Sequence, residues 1–149
     1  MKRITLLLSL LVLTFVSCEG PMGPPGEPGD GVIWKIIDIT VYEREWQLVG
    51  RSGDLGSFYK SEQRVPELTP FVCDNGNVFG YRWIDKDEQT PLGQVFVNWE
   101  IENGYEFLFT EVCSFSFRPG YVTFYIDYSD FETGIRHPGN CDFRIVLNY

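Results

Sequence analysis

The sequence predicts an all-β domain, an antiparallel β-sandwich of about eight or nine strands, with a small β-barrel as the alternative closure. Three observations predict it. From Val32 onward apolar and polar residues alternate at period two in one segment after another, with turn-forming Gly, Asn and Pro between the segments. No amphipathic helix interrupts them, and no repeat of 20–50 residues points to a solenoid or propeller. Aromatic residues make up 16% of the chain, and rings favour pleated, half-buried surfaces. The 118 residues 32–149 suit two packed sheets, and a domain of that size buries roughly two-thirds of its unfolded surface.

The elements follow in chain order. In Val32–Tyr42, Ile33, Ile37, Ile39 and Val41 share a face interrupted by Lys35, and Trp34, Asp38, Thr40 and Tyr42 lie opposite, as in a strand of about ten residues. Trp46–Gly50 is a second strand, closed by the turn formers Arg51 to Asp54. Ser61–Pro70 holds two prolines and reads as an irregular crossing with room for a short helical turn. Asn75-Gly76 then predicts a type I′ hairpin turn pairing 71–74 with 77–84, because both central residues must accept positive φ. Residues 85–93 read as a charged loop.

In the next strand, 94–101, Val95, Val97, Trp99 and Ile101 lie on one side, and Phe96 falls on the polar side with Asn98 and Glu100. Asn103-Gly104 supplies a hairpin turn into 105–109, and 112–117 follows as a separate strand with Cys113, Phe115 and Phe117 on one face. Arg118-Pro119-Gly120 turns the chain into 121–128, where Val122, Phe124, Ile126 and Tyr128 are expected inside and Tyr121, Thr123, Tyr125 and Asp127 outside. Residues 129–141 form a loop, and 142–148 closes the domain with Phe143, Ile145 and Leu147 buried.

The N-terminal segment has a different character. Lys2 and Arg3 precede the 13-residue apolar run Ile4–Val16. A spanning helix needs about 20 apolar residues, so residues 1–17 read as a secretory signal peptide. Phe15, Val16 and Ser17 precede Cys18, placing a small residue directly before a cysteine at the end of the apolar run. Gly20, Gly23, Gly26 and Gly29 then recur every third residue with prolines between them, so 18–31 reads as a semi-rigid, polyproline-like spacer with the collagen repeat.

Cys18, Glu19, Gly20, Pro21, Gly23, Pro24, Gly26, Pro28 and Gly29 resemble the start of small collagen-like lipoproteins of Gram-negative bacteria. The resemblance covers about residues 1–31 and implies cleavage before Cys18, lipid on its sulfur, and anchorage in the cell envelope, most simply the outer membrane. It implies nothing about residues 32–149. With more than one acyl chain the attachment would be firm.

Charge and side-chain inventory limit the remaining functions. The chain has 12 Lys and Arg against 21 Asp and Glu, a net of −9, and loss of Lys2 and Arg3 would take the mature form to −11. Such a surface repels phosphate backbones, so nucleic acid is not an expected partner. Cys73, Cys113 and Cys141 lack the paired spacing of a zinc site and allow one disulfide at most. His137, the only histidine, sits in a solvated Arg-His-Pro-Gly loop with no nucleophile motif to serve.

Two acidic loops, one with Asp85, Asp87 and Glu88 and one with Asp127, Asp130 and Glu132, have calcium-binding residue types without EF-hand spacing. Nothing in the pattern requires a cofactor or names a catalytic residue. Outward aromatics, Phe96, Tyr121 and Tyr125 with Trp34 and Trp46 unassigned, are the residues through which such a domain could stack on a sugar or receive a protein. The expectation is a non-enzymatic binding or structural domain whose partners are the membrane, through its lipid, and a glycan or envelope protein. A carbohydrate-active enzyme or an apolar-ligand carrier is the alternative.

Overall fold

The computed structural model describes residues 31–102 and 104–149, so the expected signal peptide (residues 1–17), Cys18 and nearly all of the expected spacer lie outside the described residues. Val32–Tyr149 is one compact unit. Nine strands form it: β1 (Trp34–Val41), β2 (Gln47–Val49), β3 (Phe58–Arg64), β4 (Asn77–Asp85), β5 (Glu88–Pro91), β6 (Val95–Glu102), β7 (Tyr105–Arg118), β8 (Tyr121–Tyr128) and β9 (Cys141–Asn148). They make two antiparallel sheets, ordered β1-β9-β4-β5 and β2-β3-β8-β7-β6, and neither closes into a barrel. The predicted sandwich is the observed architecture. Among the described residues no helix is long and apolar enough to cross a membrane.

The core lies between the sheets and comes from the alternation of β1, β8 and β9. Val122, Phe124 and Ile126 from β8 meet Phe143, Ile145 and Leu147 from β9, all at 0–1% exposure. The Phe124 and Phe143 rings stack across the sheets with centroids 3.9 Å apart and planes 11° from parallel. Trp46 meets the Phe143 edge at 6.3 Å, and its indole N–H donates to the Gly139 carbonyl at 3.1 Å. Gly80 in β4 lets the sheets close: a Cβ there would stand 2.7 Å from Leu92 Cδ1 and 2.8 Å from Phe115 Cε1. Toward one end of the interface, Arg82 of β4 ion-pairs with Glu111 of β7 and joins the two sheets.

Five expectations are corrected. Residues 71–74 are not a strand, and Asn75-Gly76 is not a hairpin turn. Pro70–Asn75 is a helix, α1, because Thr69 caps it by accepting from the Val72 N–H at 3.2 Å and Pro70 occupies its first turn. Gly76 has an extended φ of −97°, so the positive φ of a type I′ turn is not used. The first four residues of the expected crossing 61–70 belong to strand β3, whose inward residues include the polar Ser61 and Gln63, and the loop 85–93 contains strand β5. The segments 105–109 and 112–117 are one continuous strand, β7. The last correction concerns β6, whose apolar row faces outward while Phe96, Asn98 and Glu100 face the second sheet and the loop at its end.

Asn103 of the expected Asn103-Gly104 turn lies outside the described residues; β6 and β7 pair antiparallel, Gly120 joins β7 to β8, and Gly104 and Gly120 take φ of +82° and +83°, which favour glycine. The long 129–140 loop is held down over one end of the sandwich. The Tyr59 hydroxyl donates to the Thr133 carbonyl, and Arg136 pairs with both Glu100 and Asp130 while lying 3.7 Å over the Phe109 ring. At the opposite end of β1 and β9, Ile33 and Tyr149 exchange backbone hydrogen bonds of 2.8 and 3.1 Å.

Candidate functional site

One open concavity follows from where β4 leaves β9. The two strands pair from Asn77↔Asn148 to Arg82↔Phe143, while β1 stays paired with β9 as far as Val41↔Cys141. Beyond Arg82, β4 pairs only with β5, with a register irregularity between Trp83 and Asp85. The β4–β5 hairpin therefore diverges from β9. The space it opens is a cleft of about 460 Å³ bordered by Asp38, Thr40, Trp83, Asp85, Lys86 and Asp142.

Alternation along β1 and β9 puts Asp38, Thr40, Asp142 and Arg144 on the same outward face. Arg144 binds Asp38 through two hydrogen bonds, 2.7 and 2.9 Å, and its guanidinium lies 4.7 Å from the Trp83 ring centroid. The Arg144 hydrogen bond holds the Asp38 carboxyl below its usual pKa against a partial opposition from burial, with Arg144's charge and the Trp83 indole adding to the effect. Thr40 Oγ1 donates to Asp142 Oδ1 at 2.5 Å. The rotamers of one aromatic wall and two carboxylates are thus fixed by neighbours before any ligand arrives. Pre-oriented acceptors beside a ring are the recognition elements of a sugar, which offers hydroxyl donors around an apolar ring face.

The predicted residues are distributed otherwise. Cys18 lies outside the described residues. Tyr121 and Tyr125 do face outward, but packing covers them in part: Arg118 lies 4.0 Å over the Tyr121 ring, and Tyr125 packs on Phe58 at 6.0 Å and bonds Ser116 at 2.8 Å. Phe96 is half-buried beside Arg82 and Trp83 rather than outward. Trp46 belongs to the core, whereas Trp34 is 63% exposed on the outer face of β1, the same face as Asp38.

His137 Nδ1 lies 2.9 Å from the Pro138 carbonyl and 4.0 Å from Glu43, with its ring edge on Tyr59. The acidic loops are engaged with their own chain: Asp85 accepts from the Lys86 N–H, and Asp130 takes Arg136 and the Glu132 N–H. Among the described residues no three His, Cys, Asp or Glu side chains converge as metal ligands. Cys73, Cys113 and Cys141 are free thiols, and burial pushes Cys113 up to about 12, so it stays protonated.

Asp38, Thr40, Trp83 and Asp142 escaped a reading based on single strands. The signal was present as an outward Asp38–Thr40 pair on β1, but the pairing of β1 with β9 is what adds Asp142, and the departure of β4 is what adds Trp83. Compared with known proteins, this chain matches no family model, and neither curated proteins nor solved structures provide a significant match.

Proposed function

We propose that this chain is a lipid-anchored β-domain of the bacterial cell envelope, tethered through Cys18 to the outer membrane, that works by binding rather than by catalysis, and that its ligand is a neutral glycan received at the Trp83 cleft. One observation carries the binding assignment: Trp83 borders the cleft together with the outward acceptors Asp38 and Asp142, each already oriented by a neighbour. The address rests on the residues around Cys18 and the Gly-Pro spacer after it.

The rival readings fit less well. A glycosidase needs two carboxylates poised across the scissile bond, and both oxygens of Asp38 are already engaged by Arg144. A carrier needs an apolar interior cavity, and here Phe124, Phe143, Ile126 and Ile145 fill the space between the sheets.

Two experiments test the proposal. Calorimetric titration of the chain with neutral cello-, chito-, malto- and manno-oligosaccharides is expected to give saturable heat for at least one of them. Trp83→Ala should weaken that binding by about tenfold or more at unchanged melting temperature. Saturable heat that survives Trp83→Ala unchanged, or no heat from any sugar at millimolar concentration, removes the cleft assignment. Separately, a palmitate analogue fed to cells is expected to label the wild type and leave Cys18→Ala unlabelled. Equal labelling of both, or of neither, removes the anchor.

A further inference from the structure

The two sheets have four edge strands, β1, β5, β2 and β6. An open edge presents unpaired backbone N–H and C=O groups, and proteins blunt such edges with charge, proline or brevity. Three of these edges are blunted. On β1 the outer apolar row ends after Trp34 and Ile36, where the polar Asp38 and Thr40 follow, β5 has four residues ending in Pro91, and β2 has three residues. The eight-residue β6 has no lysine, no proline and no bulge, and the Glu100 carboxylate is turned toward Arg136. Its outer face carries Val95, Val97, Trp99 and Ile101, each between 55% and 70% exposed, with Leu108 of β7 beside Trp99.

The β6 sequence has an internal symmetry. About Asn98, the apolar Val97 mirrors Trp99 and Val95 mirrors Ile101, whereas the other face carries Phe96 on one side and Glu100 on the other. We propose that β6 is a self-association edge: two copies of this chain pair their β6 strands antiparallel about a twofold axis at Asn98, joining their five-stranded sheets into one of ten. In that register Val95 lies opposite Ile101 of the second copy and Val97 opposite its Trp99, so every apolar side chain of the row gains an apolar cross-strand neighbour on its open side. Glu100 lies opposite Phe96, and no two carboxylates in positions 95–101 oppose each other. A register shifted by one residue sets the apolar row against the opposite face. A shift by two leaves one end of the row without a partner. Backbone pairing supplies the attraction and the row supplies the register, as in strand addition to an exposed edge.

Cysteine cross-linking of the full chain, purified in detergent, tests the register directly. Opposed residues on paired strands have Cα atoms about 4.5–5.5 Å apart, within disulfide reach. Asn98→Cys is expected to give a disulfide-linked species of twice the chain mass on mild oxidation, which the wild type, with its own cysteines, does not give. Val97→Cys and Trp99→Cys should each give little alone and a linked dimer when mixed.

Trp99→Lys, which charges the centre of the row without touching the core, is expected to raise the dimer dissociation constant by about 30-fold or more at unchanged melting temperature. The proposal is overturned by any of three results. One is a folded Asn98→Cys chain that does not cross-link at high micromolar concentration. Another is cross-linking of Val97→Cys alone as strong as that of Asn98→Cys. The third is a chain that stays monomeric but binds phosphatidylethanolamine vesicles or a foreign protein through Trp99, which assigns the edge to a different occupant.

Discussion

Phe143→Ala is expected to lower the stability of the domain by about 3–5 kcal/mol, the range for removing a fully buried ring whose surroundings cannot collapse. For a domain of this length that corresponds to a fall in melting temperature of roughly 10–20 °C. Phe143 is 0% exposed and lies in the stack with Phe124 that joins the two sheets, with Trp46 on its edge. Removing it opens a void bordered by two other rings, and those rings are held by their own strands. Phe143→Leu keeps most of the volume and should cost less than half as much. Thermal unfolding followed by circular dichroism checks both. A loss below about 1 kcal/mol for Phe143→Ala would mean that the sheets do not pack through this stack.

Glu111→Ala is expected to cost about 2–3 kcal/mol, for a different reason. Arg82 and Glu111 have side chains 24% and 18% exposed and pair across the sandwich. Truncating the carboxylate leaves the guanidinium between the sheets without its acceptor, and an orphaned, largely desolvated charge costs more than its lost bond is worth. The residual exposure keeps the figure below that of a fully buried pair. The double variant Arg82→Met/Glu111→Leu removes both charges at once and should recover to within about 1 kcal/mol of the wild type. The coupling in that double-mutant cycle separates the pair from general damage to the interface. Denaturant midpoints of the four proteins provide the measurement.

The strands that bury one clean apolar face were legible from their alternation. Phe143, Ile145 and Leu147 of β9, Val122, Phe124 and Ile126 of β8, and Ile37, Ile39 and Val41 of β1 all turn toward the core as the pattern required. The pattern misled where the second sheet supplies polar partners. In β6 the more polar side faces inward because Glu100 there meets Arg136 and Asn98 lies near Glu111 and Arg82. In β3 the inward Ser61 and Gln63 bond to each other at 3.0 Å, so a half-polar segment makes a good central strand. At 69–76 two local signals competed. The Thr69-Pro70 helix start prevailed over Asn75-Gly76, because the helix buries Val72 to 2% exposure.

The candidate cleft was legible least of all. Its carboxylates and its tryptophan come from three strands far apart in sequence, and their meeting depends on β9 lying between β1 and β4. No property of a single strand encodes that order, and 102 residues separate Thr40 from Asp142 although their side chains touch. The three free thiols were equally unreadable, since spacing alone allowed one disulfide and the fold places Cys113 and Cys141 in the core.

The exchange of backbone hydrogen bonds between Ile33 and Tyr149 has a mechanical consequence. A load applied between Ile33 and Tyr149 acts at the same end of the β1–β9 ladder, starting from the Trp34↔Asn148 pair. The hydrogen bonds are then stressed one after another, as in a zipper, rather than all together as in shear. Under tension the domain therefore yields at low force by peeling β1 away, which bares the backbone edge of β9 and withdraws Ile37, Ile39 and Val41 from the core first.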